Sequence, residues 1–149
     1  MRKATTNRRR HDKHKGVDLY ADIGDCVYAV ESGTIVDICP FTGEIAGFPW
    51  WENTWGIYAE GNSGIVVYGE IIPEKNLKIG DIVKSGDHIG IVQKVLKKDN
   101  GRPQSMLHIE LHEKGYIHTD QWEIAKEKPI GIIDPTNYLI KSKNGKLRR

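Results

Sequence analysis

Thiols are scarce in this chain. Its 149 residues hold two cysteines, Cys26 and Cys39, which sit in separate strand-like segments without a Cys-x-x-Cys spacing. That excludes a thiolate metal cluster and a disulfide framework, and it leaves both cysteines as reduced or half-buried small hydrophobes with at most one bridge between them. Long apolar runs are missing as well. No stretch approaches the roughly 20 residues that a membrane-spanning helix needs. The first twenty residues lack the apolar core of a secretory signal, so the expected location is the cytoplasm unless the protein is released by lysis or exported by another route. A strong charge of one sign is also absent, with a formal net charge of +2 at pH 7. Finally, apolar residues almost never recur at helical spacing, which excludes a helical bundle.

The basic residues that are present gather at the ends. Arg2, Lys3, Arg8, Arg9 and Arg10 open the sequence, and Lys141, Lys143, Lys146, Arg148 and Arg149 close it. Such tails suit an anionic polymer or simply solvent. Neither interleaves aromatics with its charges as single-strand binders do, so nucleic acid is not the expected partner. With 38% hydrophobic and 28% charged residues, the chain has the composition of one ordinary globular domain. The expected organisation is a basic tail over 1–10, a single domain over 11–140 and a second basic tail over 141–149. Nothing in the sequence indicates the oligomeric state.

Short β-rich runs broken by Gly, Pro, Asn and Asp recur along the whole domain, an all-β pattern. Strands are expected at 17–20, 26–30, 33–39, 55–60, 64–71, 81–83, 88–92 and 105–112, with Asn62-Ser63-Gly64 turning one hairpin. Two segments, 21–33 and 77–90, share a rhythm of Gly-Asp, β-branched residues and Gly. Glycines at fixed offsets suit tight turns, so these segments read as quasi-equivalent corners of one compact β-sandwich with long loops. Asp134-Pro135 reads as the start of a short C-terminal helix or turn. The 40–54 loop holds Phe41, Phe48, Trp50 and Trp51. These aromatics either offer Trp50 and Trp51 to a substrate or pin the loop to the core.

Two groups of metal-ligand side chains stand far apart in the chain: His14 with Asp18, and His108 with Glu110. Imidazole and carboxylate are what zinc takes when thiolates are absent, and three protein ligands leave a fourth position open for water. The alternation of the last strand puts Met106, His108, Glu110 and His112 on one face. Glu110 is then the natural partner to orient an imidazole, with His112 further along the same face.

The segment His14 to Gly33, reading His-x-Gly-x-Asp and then Gly-Asp-x-Val-x-Ala-x-x-x-Gly, resembles the lysostaphin/LytM family of zinc endopeptidases that cut peptidoglycan peptides. Later motifs follow in that family's order: Tyr68-Gly69-Glu70-Ile71, Leu77 to Gly90, Met106 to Glu110, and Asp134-Pro135. The resemblance spans roughly residues 8 to 140. It implies a lysostaphin-like, barrel-sandwich hybrid fold, one zinc ion held by His14, Asp18 and His108, and a peptidoglycan or other peptide substrate. The family's two further histidines fall at Glu70 and Met106. A thioether carries no titratable proton, so Met106 cannot be a general base. A carboxylate is the base in zinc peptidases of another type, so the expectation is a zinc metallopeptidase in which Glu70 is the general base for a metal-activated water. Tyr68, two residues away on the same strand, is expected to share the face of Glu70. The alternative is a catalytically impaired module that keeps zinc and binds cell-wall peptides or a protein partner. The Gly-Asp corners also resemble lipoyl-type carrier domains, but Lys84-Ser85-Gly86 lacks their Met-Lys context.

Overall fold

The computed structural model describes residues 16–98, 101 and 103–115 together with the backbone of 132–133. The described chain is a nearly all-β, antiparallel structure of nine strands: β1 (Val17–Tyr20), β2 (Cys26–Tyr28), β3 (Gly33–Thr42), β4 (Thr54–Gly61), β5 (Gly64–Pro73), β6 (Ile82–Val83), β7 (His88–Val92), β8 (Met106–His112) and β9 (Ile132–Ile133). The main path runs β1-β8-β5-β4-β3-β6, while β7 pairs with both β2 and β5, and β9 pairs with β8. The one helical element in the described loops is a single 3-10 turn at Glu44–Ala46.

Period-2 patterning sorts the residues into two faces. Ile57 and Ala59 of β4, Val66 and Tyr68 of β5, and Ile109 and Leu111 of β8 point into the larger apolar cluster with Val27, Ile35, Ile71, Val83, Ile89 and Val92. Ile57, Ile71 and Ile89 are completely buried, and each such side chain contributes about 1.5–3 kcal/mol by leaving water. Tyr58, Ile65 and Val67 form a smaller cluster on the other face, joined by Phe41. The alternate residues of β8 lie on this second face.

The corners follow from one repeated turn. In Asp22–Asp25, Lys78–Asp81 and Lys84–Asp87 the third residue is a glycine at φ 92°, 98° and 92°, a backbone conformation that glycine adopts at little cost and other residues rarely do. In each, the carboxylate of the closing Asp accepts the backbone N–H of the opening residue, at 2.9, 2.9 and 2.8 Å. The two expected corners thus contain three copies of this turn. The copy at 84–87 also trims the strand expected at 26–30. Ala29 exchanges backbone hydrogen bonds with Gly86 and Asp87, so pairing with β7 ends at Tyr28.

β3 continues beyond 39 to Thr42, because the expected break at Pro40 is taken up by a bulge. Pro40 pairs with Trp55 and Thr42 with Thr54, leaving Phe41 as the extra residue. Another bulge lies in β5. Trp55 pairs with Ile71 and Ile57 with Tyr68, so Gly69 and Glu70 together face Gly56. At the same point β5 changes its other neighbour: Gly69 still pairs with His108 of β8, whereas Ile71 pairs with Val92 of β7. A bulged strand bends and re-aims its side chains, and here the bend is where the sheet folds over. Both cysteines are free. The expected helix or turn at 134–139 and the two basic tails lie outside the described residues.

Candidate metal and catalytic site

The site is built on the pairing of β1 with β8. Asp18 lies directly opposite His108, and its carboxylate oxygen Oδ1 is 2.8 Å from His108 Nδ1. The approach depends on Gly16. A Cβ there would overlap the Ile109 carbonyl oxygen, so a side chain at this position would push β1 away from β8. On the other side of β8, Gly69 of β5 faces His108. Phe41, turned inward by its bulge, lies over both Gly56 and Gly69, where an added Cβ would meet its ring at 2.9 and 2.7 Å. The same ring stands against His108, with centroids 5.4 Å apart. In the sequence Phe41 reads as one of the aromatics of the 40–54 loop, with no expected place at the site. Its signal was faint: an aromatic followed within the motifs by two strand glycines that make room for it.

Glu70 completes the group. Strict alternation would send it into the apolar core beside Tyr68. The bulge prevents this, and Glu70 is the one non-glycine residue at positive φ, 66°, among the described residues. Its carboxylate joins Asp18 and His108, with one ligand atom from each within 4.8 Å of the others. Glu70 is fully buried. The same bulge corrects the expectation for Tyr68. Its side chain stays on the core face opposite Ile109, and its hydroxyl accepts the Val30 N–H at 3.0 Å. Tyr68 is therefore a core residue, and burial pushes its phenol pKa up.

A buried polar row extends from His108 along β8. Glu110 Oε2 accepts from His108 Nε2 at 2.8 Å, and Glu110 Oε1 accepts from His112 Nε2 at 2.8 Å. Burial alone would lower the His108 pKa, but the hydrogen bonds to Asp18 and Glu110 and the nearby charges of Glu110 and Glu70 outweigh it and push it up to about 9. Burial would likewise raise the Glu110 pKa, and the hydrogen bonds and charges of His108 and His112 overcome this, holding its carboxyl well below the usual range. In this state His108 is a cation clamped between two carboxylates. Its Nδ1 proton occupies a direction that a bound metal would take.

The donor set fits a divalent cation of zinc type. It offers carboxylate and imidazole, two anionic oxygens beside one nitrogen, and a second ring nitrogen anchored to a carboxylate, which is how ligating histidines are usually held. Of the ligands expected from the sequence, Asp18 and His108 are brought together, while His14 lies outside the described residues. Met106 is buried two residues before His108, opposite Tyr20. Trp50 and Trp51 form a cluster with Phe48, their ring centroids 6.3 Å apart. Trp51 is buried, whereas Trp50 is 45% exposed.

Comparison with known proteins agrees with this architecture. The profile of Peptidase family M23 matches residues 12–121. The catalytic domain of the antimicrobial peptidase lysostaphin from Staphylococcus simulans is similar at 24% identity and a TM-score of 0.52, over 85% of this chain and 79% of that one. A longer structure of lysostaphin from the same organism gives 23% identity and a TM-score of 0.57, over 89% of this chain and 46% of that one. The chain thus spans about half of that longer protein. The CbpA structure from L. salivarius REN gives 20% identity and a TM-score of 0.57, over 89% of this chain and 77% of that one. At these identities the likeness is one of fold. No curated protein matches the sequence significantly.

Proposed function

Because the chain belongs to peptidase family M23, a family of metallopeptidases that hydrolyse peptidoglycan, we propose that it is a zinc-dependent endopeptidase acting on peptidoglycan peptides with Glu70 as general base. The observation that carries this reading is the placement of Glu70 by a strained bulge beside Asp18 and His108. Left-handed backbone at a non-glycine residue costs on the order of 1–3 kcal/mol and gathers at functional sites. His14, Asp18 and His108 are the proposed ligands. Zinc, when bound, polarises a carbonyl and brings the pKa of water down to about 7.

The protein's own residues do the rest. Glu70 accepts the proton of the attacking water and returns it to the leaving amine, a transfer worth about 10²–10⁴-fold. Glu110 holds the His108 ring so that Nδ1 faces the ligand group. Met106 adds only an apolar wall, so a donor to the developing oxyanion is lost there, at a cost on the order of 10²-fold. Trp50, 45% exposed in the loop, is proposed to bind substrate, with the buried Trp51 packed against it.

A second reading follows from the same geometry. Glu70 lies close enough to Asp18 and His108 to be a ligand itself, and four protein ligands close a zinc site to water. The chain would then be a silent module that keeps zinc and binds cell-wall peptides or a protein partner. Elemental analysis and peptidoglycan digestion, run on the wild type and Glu70→Gln, separate the two. One zinc in each protein, with peptides released by the wild type only, supports the hydrolase. Zinc in the wild type without release from any peptidoglycan preparation supports the module.

A further inference from the structure

The neighbour of Glu110 at the far end of the polar row has no part in the reaction just described. His112 is completely buried, stands edge-on to Tyr58 with centroids 6.1 Å apart, and directs Nε2 at Glu110 Oε1. Burying an imidazole at the end of a strand, between Tyr58 and the apolar Ile65 opposite it, is costly unless its polar atoms are used. Its use here is specific: it occupies the one oxygen of Glu110 that His108 does not.

We infer that His112 is a positioning residue for the metal site, acting through Glu110 on the His108 ring. This rests on the proposal that His108 is a ligand. The chain of cause is short. A neutral imidazole has one N–H and one lone pair, and the partner of one nitrogen decides which is which. When His108 acts as a ligand, Nε2 carries the proton that Glu110 Oε2 accepts and Nδ1 presents its lone pair toward Asp18 and Glu70. Two hydrogen bonds, one to each oxygen, fix the rotation of the Glu110 carboxylate in this buried setting. His108 supplies one of these and His112 the other. Without His112, the hydrogen bond that holds Glu110 Oε1 is lost. The carboxylate then rotates, and the alignment of His108 is lost.

The test measures zinc binding by chelator competition, with no peptidoglycan present. His112→Leu keeps the volume and removes the donor, whereas His112→Gln keeps an N–H at the position of Nε2. The expected result is zinc affinity weakened about 10–100-fold in His112→Leu, with most of it restored in His112→Gln. Equal affinity in wild type and His112→Leu would overturn the inference. So would a loss in His112→Gln as large as in His112→Leu, because a purely structural role makes no distinction between a donor and its absence. If His112→Leu does not fold, long-range proton–nitrogen spectra of the zinc-loaded wild type decide: protons on Nε2 of both His108 and His112 are expected, and a His112 protonated only on Nδ1 refutes the inference. A wild type that binds zinc and digests no peptidoglycan overturns the hydrolase reading alone, and the affinity comparison still decides this one.

Discussion

Glu70 shares a face with His108 only because its own backbone is turned to φ 66° at the bulge where β5 leaves β8 and takes up β7. Its neighbour Tyr68 follows the regular alternation and ends in the core. Two residues apart on one strand, one is a candidate catalytic group and the other a structural residue. The bulge separates their roles, and it gives the site its most distinctive chemistry: a carboxylate brought to a buried imidazole–carboxylate pair.

Glu70→Gln tests the chemistry with the least disturbance of shape. The amide keeps the volume and cannot accept the water's proton, so peptidoglycan release is expected to fall by about 10²–10⁴-fold with zinc content unchanged. A parallel loss of zinc would instead assign Glu70 as a ligand.

Glu70→Gly tests the strain. Glycine takes φ of 66° without the Cβ clash that costs other residues roughly 1–2 kcal/mol, and it removes a buried carboxylate. Activity should vanish while the melting temperature rises by a few degrees, as a gain of about 1 kcal/mol does in a domain of this size. Thermal unfolding with the melting temperature unchanged or lower would mean that the bulge stores no strain.

The strand positions, the hairpin at Asn62–Gly64 and the Gly-Asp corners were legible because each is written in local chemistry: alternation, turn residues, glycines at fixed offsets. The pairing of Asp18 with His108 was legible too, from the motifs and their order. The course of β5 at Glu70 was not. A bulge adds one residue to one strand and shifts every later side chain to the other face, and Gly69-Glu70 looks like uninterrupted strand until both residues are seen to face Gly56 alone. Phe41 looks like a loop aromatic for a similar reason, because Pro40 beside it suggests that the strand ends there.

Tyr68→Phe separates a core role from a catalytic one. Removing the hydroxyl leaves the Val30 N–H without the acceptor now 3.0 Å away, and the expected cost is about 1 kcal/mol, visible in denaturant unfolding. The turnover rate on peptidoglycan should not change. A drop in turnover without a change in stability would return Tyr68 to the site.

Gly16→Ala changes neither the base nor any proposed ligand residue and acts only through the spacing of β1 from β8. A methyl group there overlaps the Ile109 carbonyl, so β1 must move, and Asp18 with it. Zinc affinity and activity are expected to fall together, while the larger core, which lies on the other face of β8, keeps the fold. Wild-type zinc affinity in this variant would mean that Asp18 tolerates displacement and contributes little to binding.

The two tryptophans of the aromatic loop should respond in opposite ways. Trp51 is 6% exposed and packs against Phe48, so Trp51→Ala opens a cavity and should lower stability by about 3–5 kcal/mol. Trp50 is 45% exposed and its truncation should cost little stability. If its indole meets substrate, Trp50→Ala raises KM on peptidoglycan fragments and leaves kcat and zinc content unchanged, the signature of lost binding that ground and transition states share. Unchanged KM would reduce Trp50 to a lid over Phe48 and Trp51, and the loop would then serve the core alone.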